Sequence, residues 1–161
     1  GHNRGIFIVF LILTSNEKIM ASTNFVKTRW MGDMAFESDN PSGQTFKIDA
    51  SPDEGGHGDG LRPKALMLSS LAGCSGLDVA FIIRKMKLEI DRFHIDIQAK
   101  LSDSQPQTYE EVEMEFHFFG KTLNEAKLKR AVKLSVDTYC GVMKMFRTFA
   151  EVSVSSHFHH E

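Results

Sequence analysis

The chain has only two cysteines among its 161 residues, Cys74 and Cys140. Two cysteines cannot build the disulfide framework on which small secreted domains depend, and they cannot supply the paired CxxC ligands of a structural zinc site. In a reducing compartment, a cysteine pair is more often catalytic or redox-sensing than structural. We therefore expect a cytoplasmic protein in which the two thiols themselves matter.

The chain also lacks an excess of positive charge. Its 19 lysines and arginines stand against 21 acidic residues, giving a formal net charge of −2. Proteins that bind nucleic acid usually carry a basic surface, so we expect no nucleic-acid partner. The hydrophobic share of 42% and the charged share of 25% are those of an ordinary globular domain.

The hydrophobic run near the N-terminus is too short to span a bilayer. Residues 6–13 are eight consecutive apolar residues, which is the length of a signal-peptide core rather than of a membrane helix. No small-x-small cleavage site follows, and Met20 suits a native start. We predict that residues 1–19 are an upstream or expression-derived extension, or else a pairing strand. Residues 20–161 are then expected to form a single domain.

The longest helical pattern runs from Pro63 to Lys87. Proline is well tolerated at the first position of a helix, and residues 65–83 are apolar or small on almost every side. A helix of this composition belongs inside a domain. Its three serines and Asp78 make it a poor membrane span, so we expect no membrane partner. Two glycines flank Cys74, which indicates a kink or a close backbone approach.

Strand patterns lie on both sides of this helix. Three short segments between residues 24 and 49 are separated by turn residues and predict an antiparallel meander. Residues 93–101 and 112–118 alternate and predict a hairpin with one buried face. A capping-box pattern at residues 122–125 predicts the start of a second helix, followed by a short helix within residues 139–149 and a last strand at residues 152–158. The fold class is therefore α+β, with antiparallel sheets around a long buried central helix.

Seven histidines are scattered along the chain, except at its end, where His157, His159 and His160 cluster. His157 and His159 alternate like residues on one face of a strand, which leaves metal binding open as an alternative. We interpret this cluster as a solvated tail and predict no metal site and no cofactor.

The central helix also predicts the assembly. One small sheet from a chain of this length cannot cover a helix that is apolar on all sides. We therefore expect a homodimer in which each subunit covers the long helix of the other.

Local physical chemistry makes the two cysteines unequal. Cys140 falls within the first turn of a predicted helix, where the helix dipole lowers the pKa of a thiol. Cys74 lies in the middle of an apolar helix, where burial raises the pKa. Cys140 is therefore predicted to be the better thiolate. The alternative is that both cysteines are small hydrophobic packing residues.

Two motifs around these cysteines resemble those of a known superfamily. The run PxxLxLxxxAGCSxxDV, which begins at Pro63 and is followed by Lys85-Met86, resembles the central-helix motif of the OsmC/Ohr superfamily. The run Tyr139-Cys140-x-Val142 resembles its second cysteine motif. The sequence is most similar to the poorly characterised OsmC-like branch of these bacterial osmotically inducible and organic-hydroperoxide-resistance proteins. The resemblance implies an OsmC-like fold and an intertwined homodimer with sites at the subunit interface.

The resemblance also implies thiol-dependent peroxide reduction. Cys74 would attack an organic hydroperoxide and become a sulfenic acid, Cys140 would condense with it to a disulfide, and an external dithiol such as a lipoyl group would restore both thiols. An apolar lining is expected from four residues that suit an organic substrate: Leu66, Leu71, Met143 and Phe146. The alternatives on the same fold are a small-ligand-binding module without catalysis and a redox sensor.

One part of the family pattern is absent. Characterised members carry a glutamate just after the motif proline, and it orients an arginine against the reactive thiolate. Lys64 and Ala65 occupy these positions here, and Arg29 does not lie in a matching motif. Another cation near the head of the helix, such as Arg62 or Lys64, would have to replace that arginine in an efficient hydroperoxidase.

Overall fold

The computed structural model describes residues 21–161, so the predicted N-terminal extension at residues 1–19 lies outside the described residues. Within the described range the elements are β1 (Thr28–Gly32), β2 (Ala35–Asp39), β3 (Thr45–Asp49), α1 (Pro63–Lys85), β4 (Arg92–Leu101), β5 (Tyr109–Gly120), α2 (Glu125–Leu134), α3 (Gly141–Phe146) and β6 (Glu151–His160). A short 3₁₀ turn, Pro52–Glu54, precedes α1, and a π-helical turn, Ser135–Tyr139, joins α2 to α3.

The strands form two separate three-stranded sheets. The first has the order β1-β2-β3 and is the antiparallel meander that the sequence predicts. The second has the order β4-β5-β6, in which β4 and β5 form the predicted antiparallel hairpin. The prediction of antiparallel sheets is wrong for one pair, because β6 runs parallel to β5. The helices between these two strands provide the crossover that a parallel pair requires.

The core lies between the second sheet and the three helices. Alternate residues of β5 face the helices and are fully or almost fully buried, because side chains of a strand point to opposite faces in turn. They meet buried residues from α1, α2 and α3 in one cluster, whose largest members include Met114, Phe116, Phe118, Leu71, Leu128 and Met143. The opposite face of this sheet is more polar and carries His157 and His159. The predicted solvated tail is therefore wrong, since these histidines lie on β6.

Helix α1 is less buried than its composition predicts. Its buried residues, Leu71, Ser75 and Val79, form one narrow stripe with a spacing of four. Leu77 is 74% exposed and Phe81 is 54% exposed, so one chain leaves much of the helix uncovered, and its burial on all sides in a homodimer stays a prediction. By length and composition α1 passes the test for a membrane span, as the core helix of a soluble protein also does.

The two glycines that flank Cys74 lie in different surroundings. A Cβ on Gly76 would stand 3.1 Å from Cδ1 of Ile95, which shows that α1 approaches β4 closely there. A Cβ on Gly73 would meet nothing within 4 Å. The prediction of a close backbone approach is therefore confirmed for Gly76, while Gly73 belongs to the open side of the helix.

The start of α2 differs from the predicted capping box. The helix begins at Glu125, and its N-cap is Asn124, whose side chain accepts a hydrogen bond of 3.1 Å from the backbone N–H of Lys127. Thr122 lies outside the helix. The predicted helix is present, but asparagine rather than threonine satisfies its first free amide groups.

Candidate functional site: a thiol pair between two helices

The fold brings the two cysteines close together. Cys74, in the middle of α1, packs against the core cluster that contains Cys140, and the adjacent Ser75 bonds to the Cys140 sulfur. Both are free thiols, with Cys74 partly exposed and Cys140 only 4% exposed. The two residues that the sequence singled out thus form one site, in which one sulfur can be reached from solvent and the other lies behind it.

The π-helical turn determines where Cys140 lies. The turn, Ser135–Tyr139, follows α2 directly and leads into α3. Cys140 is the N-cap of α3 and has an extended backbone conformation. The Cys140 Sγ accepts a hydrogen bond of 3.3 Å from the backbone N–H of Met143. Cys140 therefore caps the short helix itself, whereas the sequence predicted that it would fall within the first turn.

Two buried serines and Asp78 complete the polar contacts of the site. Ser75 Oγ donates a hydrogen bond of 3.2 Å to Cys140 Sγ. Ser135 Oγ lies 3.0 Å from the carbonyl oxygen of Ser75 and 3.1 Å from Asp78 Oδ2, and these two acceptors share its single proton. Sequence reasoning missed both serines. The signal for Ser75 is its place on the buried stripe of α1, four residues from Leu71 and from Val79.

The electrostatics of Cys140 oppose the sequence prediction. Burial raises the pKa of the Cys140 thiol above its ordinary value of 9.0, although hydrogen bonds from Ser75 and from the backbone of Met143 act to lower it. The free-energy cost of removing a charged sulfur from water exceeds the stabilisation that these hydrogen-bond donors provide. The prediction that the start of the helix lowers the pKa of Cys140 is therefore wrong: at neutral pH it is a protonated thiol.

An ionic clamp holds the π-helical turn. Arg147 Nη1 donates to the carbonyl oxygen of Val136 at 2.9 Å and to Asp137 Oδ1 at 3.3 Å. The Lys133 ammonium lies 2.7 Å from Asp137 Oδ2. The hydrogen bond from Lys133, followed by that from Arg147, holds the pKa of Asp137 below its ordinary range. These contacts fix the backbone immediately before Cys140.

The four residues expected to line an apolar pocket do not form one. Leu71, Met143 and Phe146 are core residues with at most 2% exposure, and Leu66 is only partly buried. A different groove of about 690 Å³ lies beside the site. Its lining includes Asp78, Phe81, Ile82, Arg130, Leu134 and Tyr139. Asp78 is about one helical turn from Cys74, and Tyr139 directly precedes Cys140, so the groove opens next to the thiols.

The three cations considered as thiolate partners are engaged elsewhere. Arg62 Nη1 donates to the carbonyl oxygens of Asp49 and Gly60, and Arg29 forms an ion pair with Glu37. Lys64 Nζ lies 3.4 Å from the carbonyl oxygen of Gln107. Ten residues of helix separate Lys64 from Cys74, which corresponds to about 15 Å. Within one chain, none of these cations faces Cys74.

Comparisons with known proteins agree with this architecture. The model of a protein family described as OsmC-like protein matches residues 56–155, more than half of the chain. Protein YhfA from Escherichia coli K12 is 25% identical over 130 residues, which cover 80% of this chain and 93% of that protein.

Solved structures resemble the fold over most of its length. A hypothetical protein from Aquifex aeolicus VF5 is 28% identical with a TM-score of 0.75, covering 86% of this chain and 97% of that one. An organic hydroperoxide resistance protein, OsmC, from Legionella pneumophila is 15% identical with a TM-score of 0.64, covering 86% and 99%. At that identity the likeness shows the fold alone. The predicted fold class is confirmed.

Proposed function

Because the chain belongs to the OsmC-like protein family, we propose that it reduces organic hydroperoxides through the Cys74 and Cys140 thiols. The observation that carries this proposal is the proximity of the two cysteines, which come from segments 66 residues apart in sequence and differ in exposure. A reactive thiol must be reached by its substrate. Cys74 is therefore assigned the attack, and the buried Cys140 the resolving step.

The proposed reaction balances with an external dithiol. The Cys74 thiolate attacks the terminal oxygen of ROOH, the O–O bond breaks, and ROH leaves after taking up a proton. Cys74 is then a sulfenic acid, which a nearby thiol converts to a disulfide. The Cys140 sulfur attacks the Cys74 sulfur, a disulfide forms and water leaves. A dithiol reduces this disulfide and becomes oxidised itself, as the reducing cytoplasm in which we place the protein allows.

The hydrogen bonds at Cys140 fit the resolving role. A protonated Cys140 does not compete with Cys74 for the peroxide, since the thiolate is the nucleophile. Ser75 and the Met143 N–H point at the sulfur and stabilise the negative charge that develops there during the second step. The same donors keep Cys140 beside Cys74 throughout the cycle.

We also propose that the working unit is a homodimer. Leu77 and Phe81 lie on the exposed side of α1, about one turn and about two turns beyond Cys74 respectively. Monomers rarely leave large apolar side chains of one helix face exposed together. A second copy that covers this face would close the groove beside Cys74 and could bring a cation to it.

A redox sensor is the second candidate function. The observation that favours it is that Arg29, Arg62 and Lys64 all bind other groups in the described chain. Without a cation beside the thiolate, oxidation is slower. A sensor would form the same disulfide but would not turn over rapidly with a reductant.

The test is turnover of the full-length protein with cumene hydroperoxide and dihydrolipoamide. We expect Cys74→Ser to abolish turnover. Cys140→Ser should consume one equivalent of peroxide and accumulate a sulfenic acid that a dimedone probe traps. Ser69→Ala, an exposed change on the same helix, serves as the matched control and should keep full activity.

Two results would refute the peroxidase. Full turnover by Cys74→Ser would remove the proposed nucleophile. A wild-type protein that forms the disulfide once, but turns over no faster than free dithiol reacts, would support the sensor instead. A Cys74 that never becomes oxidised would exclude both functions and leave a ligand-binding module.

A further inference from the structure

A row of histidines crosses the outer face of the second sheet, away from the helices and the thiols. His94 on β4 is the direct neighbour of His117 on β5, which in turn is the direct neighbour of His157 on β6. Neighbouring strands lie about 4.8 Å apart, so side chains in one row meet. The rings stack, with centroids 4.9 Å apart for His94 and His117 and 4.7 Å apart for His117 and His157.

Two carboxylates lie in the next row of the same face. Asp96 and Glu115 are direct neighbours on β4 and β5. Glu115 Oε2 lies 3.1 Å from His117 Nε2, and Glu115 Oε1 lies 3.9 Å from His157 Nε2. Asp96 Oδ2 lies 3.5 Å from His94 Nε2 and 3.6 Å from His117 Nε2. Each carboxylate thus lies between the Nε2 atoms of two histidines.

These separations are close to those of a metal site. A zinc ion binds imidazole nitrogen and carboxylate oxygen at about 2.0–2.2 Å, so neighbouring ligand atoms of a tetrahedral ion are about 3.3 Å apart. The ligand atoms of Glu115, His117 and His157 all lie within 4.8 Å of one another, as do those of His94, Asp96 and His117. Small side-chain rotations would bring either set onto one ion.

The surroundings of His117 favour the set with Glu115 and His157. The His117 side chain is only 17% exposed, and those of Glu115 and His157 are 34% and 42% exposed, against 51% and 65% for His94 and Asp96. His159 Nε2 lies 3.0 Å from His117 Nδ1. A partner on Nδ1 fixes the ring and leaves Nε2 free to bind a metal, as is usual for histidine ligands.

We propose that Glu115, His117 and His157 form a binding site for a divalent transition metal of the zinc class, with Asp96 and His94 able to supply a further ligand. Two imidazoles and a carboxylate suit zinc, nickel or copper rather than calcium or magnesium. The site lies on the opposite face of the sheet from the thiol pair. It is therefore independent of the proposed peroxidase activity.

The test is titration of the full-length, reduced protein with Zn²⁺ and with Co²⁺. We expect one Zn²⁺ per chain and a cobalt spectrum without the charge-transfer band of a cobalt–thiolate bond. His117→Ala should weaken zinc binding more than about tenfold, since even residues that only support a ligand contribute that much. Binding should also weaken in acid, because only neutral imidazole binds a metal.

A matched control lies on the same strand. His160 is on β6 and bonds to Glu125, outside the histidine row, so His160→Ala should bind zinc as the wild type does. Because His117→Ala removes a partly buried side chain, Glu115→Gln provides a second, milder change that should weaken binding in the same direction. Circular dichroism checks that both variants are folded.

Three results would overturn the site. Zinc binding that survives both His117→Ala and Glu115→Gln would place the metal elsewhere, and a cobalt–thiolate band would place it on the cysteines. No binding by the wild type at micromolar zinc would show that the row is only a stack of histidines. None of these outcomes bears on peroxide turnover, which is measured without added metal.

Discussion

At the scale of single residues, burial rather than helix position decides the chemistry of Cys140. The sequence places this cysteine at the start of a helix, where the dipole favours a thiolate. The structure confirms that position, but the helix it caps has only six residues, and the sulfur is almost fully buried. Burial cannot be read from the local sequence, because it depends on how α1 packs against α3.

Because Cys140 is buried, we expect the free energy of unfolding to fall as the pH rises in the alkaline range. The pKa of Cys140 is raised in the folded state by burial, so its contribution to the free energy of unfolding is complete below the ordinary thiol value and is lost as the pH rises toward the folded value. We expect the wild type to lose stability as the pH rises above the ordinary thiol pKa. Cys140→Ala should lose less over this range, as urea unfolding under reducing conditions can measure.

Tyr109 provides the control for this measurement. Burial also raises the pKa of Tyr109 above its ordinary value of 10.0, so it too contributes a loss of stability at higher pH. Tyr109→Phe should retain the decline that Cys140 causes in the lower part of the range. An equal decline in Cys140→Ala and in the wild type would show that Cys140 is not the group responsible.

At the scale of elements, the sequence predicts which segments are helices and strands better than how they begin and pair. Alternation along β4 and β5 is a local property and predicts the hairpin correctly. The parallel pairing of β6 with β5 depends on a crossover through two helices, which no local pattern encodes. For this reason the row formed by His94, His117 and His157 could not be predicted, although the alternation of His157 and His159 is typical of residues on one strand face.

The π-helical turn is the element that positions the resolving thiol. Arg147 connects α3 to this turn through Val136 and Asp137. We expect Arg147→Ala to slow formation of the Cys74–Cys140 disulfide several-fold, since one hydrogen bond to a charged donor is worth about 1.5–3 kcal/mol before solvent exposure reduces it. The first oxidation of Cys74 should keep its rate.

Rapid-quench trapping of the sulfenic acid, with mass spectrometry of the disulfide, separates the two steps. Lys144→Ala is the matched control, because Lys144 is exposed on the same short helix. If Arg147→Ala slowed both steps equally, Arg147 would act on Cys74 or on the whole fold rather than on the turn. If it slowed neither, the clamp would not position Cys140.

At the scale of the whole molecule, the composition of α1 predicts its need for cover but not where that cover comes from. The sequence shows a helix that is apolar on all sides, and the structure shows that one chain covers a single stripe of it. Gly73 adds to the open side, since nothing lies within 4 Å of a Cβ built there. A second helix could therefore approach α1 closely at this point.

The homodimer is tested by placing a charge on this open face. Leu77 is 74% exposed in the single chain, so Leu77→Glu should leave the fold intact but dissociate the dimer, because a carboxylate would be buried at the interface without a partner. Sedimentation equilibrium should give twice the chain mass of 18.1 kDa for the wild type and the single mass for the variant. Met145→Glu, on α3 and 60% exposed, is the control and should remain dimeric. A monomeric wild type, or a Leu77→Glu variant that stays dimeric, would show that a second copy does not cover α1.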